Sequence, residues 1–231
     1  MPGPVGLIIW VMGTAFELLF VVCSLARKSF LRYFFLNLYL LLSTAVSIGR
    51  FFILSSYGFN SDQYMSFYFY SDALLTLALF VALISLYSHV LGELRAGEYV
   101  KWGAVFLLLG TAGFSYAVVA QSAGRLSTSF AYELSQNLYF VGLVLTYVLW
   151  GAVLKLRETR TRLVQIILAL GLYFSAYAAS YALMNFSGKY SLIQYLSGAI
   201  GCFLPLSWSL TMLRYSEESR LTPARLVAVP R

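Results

Sequence analysis

The stretch from Tyr64 to His89, YMSFYFYSDALLTLALFVALISLYSH, is rich in aromatics and carries one charge, Asp72. At ~1.5 Å per residue a helix of this length crosses a ~30 Å hydrocarbon core, so the carboxylate is expected inside the bilayer. A chain built around such a segment is expected to be a membrane protein.

Other apolar runs repeat the pattern: Val5 to Ala26, Tyr33 to Ser55, Met65 to His89, Trp102 to Ala120, Tyr132 to Leu154, Leu163 to Met184 and Ile193 to Leu213. Each is ~19 to 25 residues, enough to span alone. The first run has no basic residue before it and Arg27 and Lys28 directly after it, the reverse of a secretory signal, so it counts as a span. The expectation is an all-α polytopic membrane protein with a seven-helix transmembrane domain over 1–214 and a cytoplasmic tail over 215–231. Composition agrees: 60% of residues are hydrophobic and only 11% charged, against roughly 25% charged in soluble domains. Cys23 and Cys202 both fall within spans, where packing is expected rather than a disulfide.

Lys and Arg are held on the cytoplasmic side of a membrane. Arg27, Lys28 and Arg32 join spans one and two; Arg95 and Lys101 join three and four; Lys155, Arg157, Arg160 and Arg162 join five and six; Arg214, Arg220, Arg225 and Arg231 follow span seven. That side holds 13 of the 16 basic residues. The N-terminus is therefore expected outside and the C-terminus in the cytoplasm, with Trp102, Trp150 and Trp208 as anchors at the cytoplasmic interface. The net charge of +7 reads as topology and not as a nucleic-acid surface, because the basic residues sit between apolar runs.

Shifting the chain by 126 residues lays Tyr64 to Ala73 over Tyr190 to Ala199, with identities at Tyr64/Tyr190, Ser71/Ser197 and Ala73/Ala199. This weak match, with similar span lengths, suggests a 3+1+3 parallel repeat around span four, as in some small transporters. Seven apolar helices aligning by composition is the alternative. The small residues Ser175/Ala179 and Ala178/Ala182 in span six and Ser197/Gly201 in span seven are expected to let those helices pack closely. Pro205 is expected to kink span seven, and the Asn185-Phe186-Ser187 glycosylation pattern sits in too short a loop to be used.

Polar residues inside a membrane are costly and mark function or fastening. Arg50 and Asp72 come out at matching depth on antiparallel neighbours, where a guanidinium and a carboxylate can form two parallel hydrogen bonds. Glu133 and Asn137 could join them from span five. The cluster, with Tyr68, Tyr64 and Tyr70 as an aromatic rim, is either an ion pair fixing a helix hairpin or an outward-facing polar cavity. Glu17 has no obvious cation on another span and is expected to be held neutral, as a hydrogen-bonding group with a Ser or Tyr, or as a proton site.

The chain excludes several chemistries. It has a single histidine, His89, so a bis-histidine haem is ruled out. No lysine falls within a span to form a retinal Schiff base, and there is no P-loop, zinc cluster or GxSxG elbow. After span three the chain reads LGELRAGE and lacks the aspartate-arginine-tyrosine signature of seven-helix eukaryotic receptors. No catalytic residue, cofactor or metal is expected.

The basic turn, the aromatic-rich start of span three with its acid in YFYSDALL, and the charged turn after it resemble small uncharacterised seven-span bacterial membrane proteins of an acidobacterial type. The resemblance implies a bacterial inner membrane and no mechanism. The leading functional expectation is a non-catalytic membrane subunit or scaffold with the lipid bilayer and a protein partner as neighbours. A small solute or proton-coupled transporter and a membrane sensor are the alternatives.

Overall fold

The structure, a computed structural model, describes residues 4–58, 61–91, 97–120, 126–156, 160–187 and 190–216. Among them lie seven helices and no strand: α1 (Pro4–Ala26), α2 (Phe34–Tyr57), α3 (Asp62–Val90), α4 (Gly97–Ala120), α5 (Leu126–Lys155), α6 (Thr161–Ser187) and α7 (Tyr190–Arg214). Six of them, α1 to α6, contain stretches long and apolar enough to cross a membrane, which points to a multi-pass membrane protein. Most helices outrun their apolar runs by a few residues, because polar residues continue the helix wherever lipid gives way to headgroups. Arg95, Arg125, Arg157, Lys189 and the tail from 217 onward lie outside the described residues.

The turn between α2 and α3 sets the depth of the polar residues. Helix α2 stops at Gly58, whose φ of 81° suits glycine and whose N–H bonds Leu54 O at 3.0 Å. Three residues on, the Ser61 hydroxyl accepts the Tyr64 N–H at 3.1 Å and caps α3. The tight hairpin that results holds Arg50 and Asp72 at one level.

Each helix pairs with defined neighbours. Consecutive helices from α1 to α3 and from α5 to α7 run antiparallel, whereas α1 lies against α7 and α3 against α5. Both of those contacts are parallel: Ile9 meets Cys202, Phe16 meets Ser209 and Arg27 meets Leu213 along α1 and α7, and Phe69 meets Tyr132 and Tyr87 meets Leu145 along α3 and α5. The order α1–α2–α3–α5–α6–α7 thus closes into a ring. Helix α4 stands outside it, packed mainly on α5 and more lightly on α3.

The ring interior is filled at its basic half. Trp208 of α7 is fully buried, 5.8 Å from the Phe20 ring and 6.4 Å from the Tyr39 ring, and its indole N–H donates to Ile166 O at 3.1 Å. It therefore joins α1, α2, α6 and α7. Between helices in lipid, burial itself drives little, so packing and the indole hydrogen bond hold this hub. This corrects the expectation of an interface anchor for Trp208; Trp102, by contrast, is 74% exposed. The ring needs a rigid aromatic at its centre, and the indole meets its polar requirement on a neighbouring backbone carbonyl.

The small-residue expectation is met differently. Helices α6 and α7 do pack, but Ala179 and Ala182 are exposed, and Gly201 is in ordinary contact with Tyr177. The tightest glycine contact is elsewhere, Gly142 of α5 under the Phe174 ring of α6. The backbone of 185–187 belongs to α6, while the side chains of the glycosylation pattern lie outside the described residues. Both cysteines are free thiols.

Candidate functional site

The basic end is tied together by arginines. The last carbonyls of a helix have no partner within it and carry the negative end of its dipole. Arg27 donates to Leu213 O at 2.9 Å, Arg162 to Tyr215 O at 3.0 Å and to the Ser29 hydroxyl at 3.3 Å, and Arg160 to His89 O at 3.0 Å. The His89 ring bonds Ser85 O at 2.8 Å and stacks on Tyr33 at 5.9 Å. Residues from the α1–α2 and α5–α6 links therefore cap α3 and α7.

Deeper in the bundle, Glu17 of α1 is 9% exposed and meets α2 through both carboxyl oxygens: Ser43 donates to Oε1 at 2.5 Å and Thr44 to Oε2 at 3.0 Å. The partners are hydroxyls on the adjacent helix, as expected, and no tyrosine is among them. Arg50 makes its hydrogen bonds to Ser71 and Tyr68 and none to this carboxyl.

Arg50 turns into the α2–α3 hairpin. Its Nε and Nη2 donate to the Ser71 hydroxyl at 3.0 and 2.8 Å, Nη2 also to Tyr68 O at 3.2 Å, and the guanidinium lies 4.3 Å from the Tyr68 ring centre. Asp72 Oδ1 is 4.0 Å from Nη2, the two side chains being 20% and 22% exposed. The pair is therefore present, but the forked two-bond arrangement is not. Ser71 sits one residue closer to the guanidinium and takes the hydrogen bonds, leaving Asp72 a longer-range attraction.

Asn137 and Glu133 do not join the cluster. Asn137 donates to the Ser115 hydroxyl at 3.0 Å and so fastens α5 to α4; Glu133 makes no ion pair among the described residues. What α5 does bring to Asp72 is Ser135. This serine is 1% exposed and faces the carboxylate, yet its hydroxyl completes no hydrogen bond of ordinary geometry. Of the expected rim, Tyr64 is buried, Tyr68 covers Arg50 and Tyr70 points away, 49% exposed.

A tyrosine column that the sequence did not single out joins α5 and α6. The Tyr139 and Tyr177 rings stack in parallel at 4.7 Å, Tyr173 lies 4.7 Å from Tyr177, and Tyr181 meets Tyr132 at 5.8 Å. Along α6 the spacing Tyr173, Tyr177, Tyr181 is one residue per turn on a single face. That four-residue period was the available signal.

Among the described residues no three His, Cys, Asp or Glu side chains gather as a metal site would require. The site is a set of charges fastened to hydroxyls, carbonyls and aromatic faces across α1, α2 and α3, suited to holding helices or a solute by non-covalent contact. Comparison with protein-family models, with curated proteins and with solved structures gives no match to this chain.

Proposed function

We infer that the protein is a non-catalytic integral membrane subunit that crosses a bacterial cytoplasmic membrane seven times, N-terminus outside and basic end inside, and holds a protein partner. The observation that carries this reading is that Glu17 and Arg50 are both taken up inside the bundle, Glu17 on Ser43 and Thr44, Arg50 on Ser71 and Tyr68. Charges used this way fasten α1, α2 and α3. Helix α7 counts as the seventh span because its 25 residues lie parallel to α1 along most of that helix.

A partner's helix would meet α4, outside the ring. Its Phe106, Leu109 and Phe114 are 77%, 67% and 62% exposed, and nothing lies within 4 Å of a Cβ placed on Gly103, Gly110 or Gly113. Glycines let a second helix approach closely. Purification in mild detergent should yield one companion protein in fixed ratio, reduced when Gly110 is changed to Leu. Absence of any fixed-ratio companion sinks the reading.

A transporter is the second reading, favoured by the helix order. Exchanging α1, α2 and α3 with α5, α6 and α7 maps the ring onto itself, swaps its two parallel contacts and leaves α4 out, as a 3+1+3 parallel repeat requires. Asp72, with Ser135 unbonded beside it, would be the solute-facing group. Flux in reconstituted vesicles that disappears in Asp72→Asn would favour this reading over the first.

A further inference from the structure

On the outside of the ring, α6 and α7 leave a groove of about 220 Å³ between them near the basic end. Its walls are Leu168 and Leu172 of α6 and Phe203 and Leu210 of α7, each 37% to 53% exposed. Gln165 and Arg214 line it as well, and Arg214 ends α7 at the basic side.

From Phe203 to Arg214 the helix rises ~16 Å, about half of a ~30 Å hydrocarbon core. The groove is thus as long as one leaflet is deep, apolar along its length and cationic at its mouth. Arg27 and Arg162 already neutralise the carbonyl end of α7 through Leu213 O and Tyr215 O, whereas Arg214 is exposed and makes no hydrogen bond or ion pair among the described residues. Gln165 likewise makes no side-chain hydrogen bond among the described residues.

We propose that this groove is a binding site for one anionic glycerophospholipid of the inner leaflet, with an acyl chain along Leu168, Leu172, Phe203 and Leu210 and the headgroup phosphate on Arg214 and Gln165. A zwitterionic lipid offers the same chain but a phosphate already balanced by its own ammonium, so the arginine discriminates between them. The inference rests on α6 and α7 both spanning the bilayer.

The test is native mass spectrometry of the full chain in detergent with phosphatidylglycerol and phosphatidylcholine at equal concentration. One arginine at a membrane surface is expected to give about a fivefold preference for the anionic lipid. Arg214→Ala should bring both lipids to the same level, Arg214→Lys should restore most of the preference, and Leu168→Trp, which fills the groove, should weaken both. Inorganic phosphate should not compete, which separates a lipid site from a free-anion site. Equal retention of the two lipids by the parent protein overturns the proposal. So does a preference that survives Arg214→Ala. Failure of the membrane reading has a different signature: the protein would be released from vesicles by carbonate wash. Thermal unfolding in the same detergent checks that each variant is folded.

Discussion

Removing Arg50 should cost more than removing Arg50 and Asp72 together. At 4.0 Å and an effective dielectric of about 20, the pair attraction is ~4 kcal/mol. Both side chains are about a fifth exposed, so half of that, ~2 kcal/mol, is a fair discount for screening. The bonds to Ser71 and Tyr68 O add ~1 kcal/mol, the scale measured between helices in membranes. Holding the carboxylate out of water costs about 1 kcal/mol at this partial exposure. Arg50→Ala then destabilises by ~3 kcal/mol, Asp72→Ala by ~1 and the double change by ~2, where simple addition would give ~4. The coupling is ~2 kcal/mol. A parallel cycle of Arg50 with Ser71→Ala should give ~1 kcal/mol. Unfolding in mixed micelles against the mole fraction of denaturing detergent reads the parent and all five variants on one scale. Additivity of the Arg50 and Asp72 changes within ~0.5 kcal/mol would refute the pairing, and a larger coupling to Ser71 than to Asp72 would refute the discount.

Glu17→Gln should cost only ~1 kcal/mol, because an amide can still meet Ser43 and Thr44; a loss above ~3 kcal/mol in thermal unfolding would mean that the site demands a charge. Gly142→Ala drives a methyl group into the Phe174 ring and should destabilise by ~1 to 3 kcal/mol, while Gly110→Ala, with nothing within 4 Å, should be neutral or gain up to ~1 kcal/mol in helix propensity. The reverse ranking in the same unfolding assay would contradict the α5–α6 packing. With Cys23 and Cys202 replaced, a cysteine at Ser61 should react with an impermeant thiol reagent on intact cells and one at Thr159 should not; labelling at Thr159 would invert the orientation.

The sequence carried the seven helices and the common level of Arg50 and Asp72, since both follow from run lengths and from a short hairpin. It did not carry the choice of face. In water a helix marks its core with an apolar stripe, but a helix in lipid is apolar all round, so periodicity no longer separates Trp208, inside the ring, from Trp102, on α4 outside it. The same blindness hid the place of α4 and sent Asn137 toward Arg50 in expectation when its true partner is Ser115. Ser71 lost to Asp72 in the sequence because charge is conspicuous and a hydroxyl is not, yet the guanidinium is shorter-bonded to the hydroxyl.

The parallel contact of α1 with α7 also bears on how the molecule is made. Its bonds join residues 186 to 193 positions apart, so α1 waits for α7 before this face is covered. Until then Gly13, Phe20 and the hydroxyl-bound Glu17 border an open seam, and α6 is an edge. A chain halted before α7 would hold the α2–α3 hairpin and the α5–α6 pair intact but unclosed, and its exposed seam would suit a chaperone or a second copy's α7. The α1–α7 contact is thus one of long sequence separation, whose loop-closure entropy must be met before the contact can form.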